Sequence, residues 1–162
     1  MFFSSGAKIQ KKETKPLVVA TQGPLHKRVE VWVYNSDKQL LCARHAFSSK
    51  SEPGKWQSYL SSELSENQNY LESGLYLIDR ILRVPRAPAN LTELHLRLND
   101  TATVFTRVYA LMVDAAAFSL PQPNSDFMEY RWMSLYDIEL AIKNREFTHP
   151  MDYQVVEFLK NP

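Results

Sequence analysis

Residues 61–84, SSELSENQNYLESGLYLIDRILRV, decide how this chain is read. Leu71, Leu75, Ile78 and Leu82 recur at helical spacing, which predicts a helix over 67–82 with one apolar face. Asn67 or Ser65 can cap its first turn, because a short polar side chain accepts from the free N–H groups there. Gly74 falls inside the pattern and costs about 1 kcal/mol relative to alanine. RVPRAPAN, residues 83–90, stops the helix, since proline supplies no N–H to continue it.

Strand patterns surround this helix. In VEVWVYN, Val29, Val31 and Val33 alternate with Glu30, Trp32 and Tyr34, which is strand periodicity. SDK is a turn and QLLCARHA a second strand, completing a hairpin. SSKSEPGK is a loop punctuated by Pro53 and Gly54, and WQSYL is a short strand. Beyond the helix, TELHLRL alternates, and TATVFTRVYALMV is rich in β-branched and aromatic residues, as a central strand is. SLPQPNSD is a loop and FMEYRWMS a last strand. SLYDIELAIKN is a helix capped by Ser134, and HPMDYQVVEFLK is a final helix with Pro150 near its first turn. Strands interleaved with helices predict an α/β sandwich with a mixed sheet.

At 162 residues, with 44% hydrophobic and 23% charged, the chain suits one globular domain with its own core. The expected organisation is a flexible basic N-terminal arm over 1–16 and a single domain over 17–162. The formal net charge of +1 gives no global basic field of the kind nucleic-acid binders carry. Cys42 is the one cysteine, so neither an intramolecular disulfide nor a cysteine zinc cluster is available. A reducing, cytoplasmic setting is the expectation. No apolar run is long enough to span a bilayer. The four histidines, His26, His45, His95 and His149, are scattered, with no metalloprotease-type spacing.

Four pieces in order carry a resemblance. HKRVEVWVYNSDKQLLCARHA starts at His26, KSEPGKW spans 50–56, EYRWMSLYDIELAI spans 129–142, and EFTHP follows. Together they resemble the Nudix superfamily, in its isopentenyl-diphosphate isomerase-like branch, and imply that family's α/β/α sandwich. The family's box is G-x5-E-x7-R-E-U-x-E-E-x-G-U, with U a bulky aliphatic. Counting from Trp56, the box Gly becomes Ser62 and the first Glu becomes Gln68. Arg-Glu becomes Tyr76-Leu77, the Glu pair becomes Arg80-Ile81, and the second Gly becomes Arg83. The aliphatics survive as Ile78 and Val84. The branch's catalytic cysteine and histidine positions hold Ser61 and Glu63.

Diphosphate hydrolysis of the kind the resemblance implies needs magnesium to neutralise charge and orient water. Magnesium takes hard oxygen ligands. Leu77 and Ile81 offer none, and Arg80 brings positive charge. The expectation is therefore a non-catalytic protein without a cofactor, binding a phosphorylated or nucleotide ligand, or a protein or RNA partner through the arm. Arg44, Lys50, Lys55 and Arg80 are the candidate ligand-binding residues, since Arg and Lys suit phosphate. The alternative is a divergent, magnesium-dependent hydrolase using Glu129 or Asp126. His26 and Glu63 are a candidate metal pair. Aromatic residues such as Tyr76 and Phe118 could stack on a base.

Overall fold

A computed structural model describes residues 25–84, 91–101 and 103–162. The arm over 1–16 lies outside them. The elements run β1 (His26–Tyr34), β2 (Leu40–His45), β3 (Trp56–Gln57), β4 (Leu60–Leu64), α1 (Tyr70–Leu82), β5 (Leu91–Leu98), β6 (Val104–Met112), β7 (Phe127–Met133), α2 (Leu135–Lys143) and α3 (Tyr153–Lys160).

One mixed sheet organises them. β1 is central and pairs in parallel with β6 along its whole length, from His26↔Val104 to Tyr34↔Met112. On its other side it pairs with β4, Val29↔Ser62 and Val31↔Leu60, and it meets β2 at Tyr34↔Leu40. β2 carries β7 and β3, and β5 lies outside β6. The alternation predicted in β1 sorts the core. Val29, Val31 and Val33 bury against Leu77, Ile78 and Leu82 of α1 on one face. Trp32 and Tyr34 bury against Ile138 of α2 and Val155 and Leu159 of α3 on the other. The result is an α/β/α sandwich around a mixed sheet. Each large aliphatic side chain taken out of water contributes about 1.5–3 kcal/mol, and both layers hold many.

The opening stretch differs from its reading in two ways. Its first residues are strand, not helix approach: β4 runs to Leu64. The helix then begins at Tyr70, capped by Asn69, whose Oδ1 accepts from the N–H groups of Leu71 and Glu72. Lys27 holds the intervening loop by donating to the carbonyls of Glu66 (3.1 Å) and Gln68 (2.8 Å). The buried stripe is also rotated. Gly74, Leu77, Ile78 and Leu82 are buried, Leu75 is half-buried and Leu71 is exposed. α1 ends at Arg83, which takes the left-handed conformation (φ 54°, ψ 30°) and donates its N–H to the Asp79 carbonyl.

The last two helices pack on the far face. Ser134 caps α2 in a reciprocal capping box with Asp137, as its position just ahead of the apolar run predicts. Pro150 does not enter the first turn of α3. It precedes the cap Asp152, whose Oδ1 accepts from Gln154 and Val155. Oδ2 of the same carboxylate accepts from Arg97 Nη1 (2.8 Å) and lies 3.0 Å from His95 Nε2, fixing α3 to β5.

Candidate functional site

A cavity of about 1130 Å³ opens between the C-terminal half of α1 and the loop joining β6 to β7. Ser61 and Ser62 of β4 close one end. Leu77, Arg80, Ile81 and Arg83 form the α1 wall, because the face buried by Ile78 turns their neighbours toward the loop. Asp114, Phe118 and Leu120 of the loop, then Asn124, Asp126, Phe127 and Tyr130 at the start of β7, form the facing wall. The walls differ in charge. Among the described residues, neither the Arg80 nor the Arg83 side chain has an ion-pair or hydrogen-bond partner. They stand at the carbonyl end of α1, where the helix dipole favours cations. The Asp126 carboxylate is likewise without a partner among the described residues, while Asp114 Oδ1 accepts from the Ala116 N–H.

The structure thus gathers five of the seven changed box positions, Ser62, Leu77, Arg80, Ile81 and Arg83, and adds Asp126. Gln68 and Tyr76 are elsewhere. Gln68 Oε1 accepts from the Ser65 N–H at 2.8 Å in the loop ahead of α1, and Tyr76 is on the exposed side of the helix. Arg83 stands where the resemblance puts the box's second glycine, and its φ is positive at 54°. A left-handed C-cap is what glycine supplies best.

The other candidates lie away from the cavity. Arg44 sits on the face of the sheet that packs α2 and α3, 5.7 Å from the Trp56 ring. Its Nε donates to the Gly54 carbonyl (2.9 Å), and Nη1 lies 3.8 Å from Glu129 Oε2. Arg131 Nη2 holds the other Glu129 oxygen at 2.5 Å, so Glu129 is engaged between two arginines. Lys55 pairs with Glu52 at 2.5 Å, and Lys50 is exposed. Arg44 therefore secures the loop over 50–56 rather than facing Arg80. Glu63 pairs with Arg28 at 3.3 Å across the β1–β4 ladder, and His26 is exposed at the start of β1. Among the described residues no group of three or more His, Cys, Asp or Glu side chains is arranged to hold a metal.

Sequence reasoning missed the loop wall. SLPQPNSD gave its loop character, but nothing local shows that it folds over α1. It also missed Tyr130, read only as part of a strand. Tyr130 is buried in the first core, its ring 5.9 Å from that of Phe127, and its buried hydroxyl has no hydrogen-bond partner among the described residues. Burial pushes this phenol above its usual range.

A second polar group lies across the sheet. The fully buried Glu30 accepts from Arg97 Nη2 at 2.7 Å through one oxygen, and its other oxygen has no hydrogen-bond partner among the described residues. Burial raises this carboxyl, outweighing the arginine. Nearby, His149 Nε2 lies 3.3 Å from the Ser58 N–H and Nδ1 lies 2.7 Å from the Pro150 carbonyl. Those partners suit a neutral ring with its proton on Nδ1, and burial lowers its pKa accordingly.

No protein-family model matches the chain, and no curated protein matches it. Solved structures do. The DR0079 protein of Deinococcus radiodurans superposes with a TM-score of 0.64 at 19% identity, over 91% of this chain and 87% of that one. A MutT protein from Methanosarcina mazei gives 0.56 at 16% identity, over 86% and 95%. The Nudix domain of Shewanella oneidensis NrtR, solved with ADP-ribose, gives 0.55 at 13% identity, over 86% of each chain. The fold is the Nudix fold. At these identities the likeness extends to the Nudix fold and no further.

Proposed function

We propose that this Nudix-fold chain carries a degenerate Nudix box and binds a phosphorylated, nucleotide-type ligand in the α1 cavity without hydrolysing it. One observation carries the reading: Arg80 and Arg83, unpaired among the described residues, line a cavity whose α1 wall is otherwise the apolar Leu77, Ile81 and Leu82. A phosphate needs donors and positive charge, which two guanidinium groups supply without a metal. Magnesium needs several oxygens, which that wall lacks. The ADP-ribose bound by the NrtR Nudix domain supports the ligand class.

Calorimetric titration with ADP-ribose and AMP in the presence of EDTA tests it. Binding should be measurable, should weaken roughly tenfold in Arg80→Ala, as a lost charge-assisted contact does, and should fade with added salt. Nucleoside triphosphates, dinucleotide polyphosphates and NADH should remain uncleaved with magnesium present. A divergent hydrolase is the second reading, favoured by the unpaired Asp126 carboxylate in the same cavity. Magnesium-dependent turnover that survives repurification and is abolished by Asp126→Asn would establish it in place of the first.

A further inference from the structure

The cap of α3 meets the sheet at one buried junction. Asp152, its side chain 6% exposed, puts Oδ2 2.8 Å from Arg97 Nη1 and 3.0 Å from His95 Nε2. Arg97 turns Nη2 to Glu30 at 2.7 Å, and the Glu30 side chain is 1% exposed. Two buried carboxylates thus share one guanidinium, and with both ionised an anion is left in excess of that permanent cation. A proton on Glu30 removes the excess, and burial raises this carboxyl accordingly. His149 lies three residues ahead of Asp152, against the rings of Trp32 (5.7 Å), Tyr59 (4.5 Å) and Phe147 (5.9 Å). Its Nε2 accepts from the N–H of the fully buried Ser58 at 3.3 Å, and its Nδ1 donates to the Pro150 carbonyl at 2.7 Å. A second ring proton would point at the Ser58 N–H, so the folded site takes the neutral ring. Burial lowers its pKa. Around these two groups, Arg28 pairs with Glu63 at 3.3 Å, and burial pushes the Tyr59 phenol up. His95 donates Nε2–H to Asp152 in either charge state.

We propose that Glu30 and His149 are opposed proton switches on the hold of α3, so that opening the junction releases a proton at Glu30 and takes one up at His149. Water reaching Glu30 favours its ionised form, and water reaching His149 removes the bar to its charged form. By linkage, the Glu30 contribution is complete below about pH 4.5 and is lost as pH rises through the raised value. The His149 contribution is complete above about pH 6.5 and is lost as pH falls through the lowered value. Between those limits the two act in opposite directions, and one titration offsets the other. The junction matters because α3 covers apolar surface: Val155 and Leu159 bury against Trp32, and the Phe158 ring packs edge-on to Tyr34 at 5.5 Å. A helix held by opposed switches keeps that surface covered through a change in pH that either switch alone would answer.

Hydrogen–deuterium exchange of the α3 amides tests it, divided by that of α2 in the same chain and corrected for the intrinsic effect of pH on exchange. His95 is the same in every chain, so differences from the parent isolate the two switches. Glu30→Gln keeps an oxygen for Arg97 but cannot titrate. Its α3 opening relative to the parent should rise as pH falls from 6.5 to 4.5, by about threefold or more, tenfold per pH unit being the limit for one proton. His149→Gln keeps an oxygen for the Ser58 N–H. Its α3 opening relative to the parent should rise over the same window as pH climbs, by a similar factor. A reversed slope in either variant, or the same profile in all three chains, overturns the proposal. If one variant does not fold, the other still decides, because removing a single switch must tilt the profile in the stated direction.

Discussion

Arg83 shows how one residue can carry two opposed demands. Its backbone takes the left-handed conformation at the end of α1, which costs an L-residue about 1–2 kcal/mol relative to glycine's freedom there. Its side chain lines the cavity. Arg83→Gly should raise stability by about 0.5–1 kcal/mol in urea unfolding, once glycine's greater unfolded-state entropy is counted. The same change should weaken phosphate binding. A variant that lost stability and kept full binding would show that Arg83 is neither strained nor used. Residues of this kind are half legible. The box pattern marks the position, but the pairing state of a guanidinium depends on tertiary neighbours. Arg44 illustrates this, because its partners Gly54 and Glu129 come from another loop and another strand.

At the scale of elements, α1 was legible in its existence and blurred at its start and in its rotation. Ser65, Asn67 and Asn69 are all competent caps, and local sequence does not rank them. The ranking comes from β4, which continues to Leu64, and from Lys27, which pins the loop that follows. The rotation was misjudged because a glycine contributes nothing to an apolar pattern. Gly74 is in fact on the buried face. A Cβ built there would meet Val29 Cγ2 at 3.5 Å, with Leu91 Cδ2 and Val31 Cγ2 at 3.7 Å, all ordinary contacts. Gly74→Ala should therefore gain helix propensity without a clash and stabilise the protein by about 1 kcal/mol, read as a rise in melting temperature. Gly74→Leu should overfill the same gap and cost about 1–3 kcal/mol. By contrast, Ser134 was placed correctly because it stands alone ahead of its helix with Asp137 three residues on.

For the whole molecule, the layers and their order followed from alternating strands and amphipathic helices. The polar ties between layers did not, because they join distant residues: Glu30 in β1, Arg97 in β5 and Asp152 ahead of α3. Glu30 makes the cost measurable. Its carboxyl is raised above the ordinary 4.5, with burial the leading cause, so the folded state holds the proton more tightly than the unfolded chain does. That term favours folding at pH below about 4.5 and is lost as pH climbs through the raised value. Glu30→Gln cannot titrate there. The stability advantage of the parent over Glu30→Gln should therefore shrink between pH 4.5 and 7.5 in paired urea titrations, and an advantage that grew with pH would contradict the sign of the shift.

The parallel ladder of β1 with β6 also sets an order of events as the chain is made. His26 must wait for Val104, and Tyr34 for Met112, before the centre of the sheet can close. At ribosomal speeds of 5–20 residues per second, that is a delay of about 4 to 16 s. Throughout it, Val29, Val31, Val33 and Trp32 belong to a strand whose longest partner does not yet exist. The pairings with β2 and β4 can form early, but they leave the edge that β6 takes uncovered. Newly made chains thus pass through a stage with a sticky, half-covered strand, when a chaperone or a crowded neighbour finds them easiest to capture.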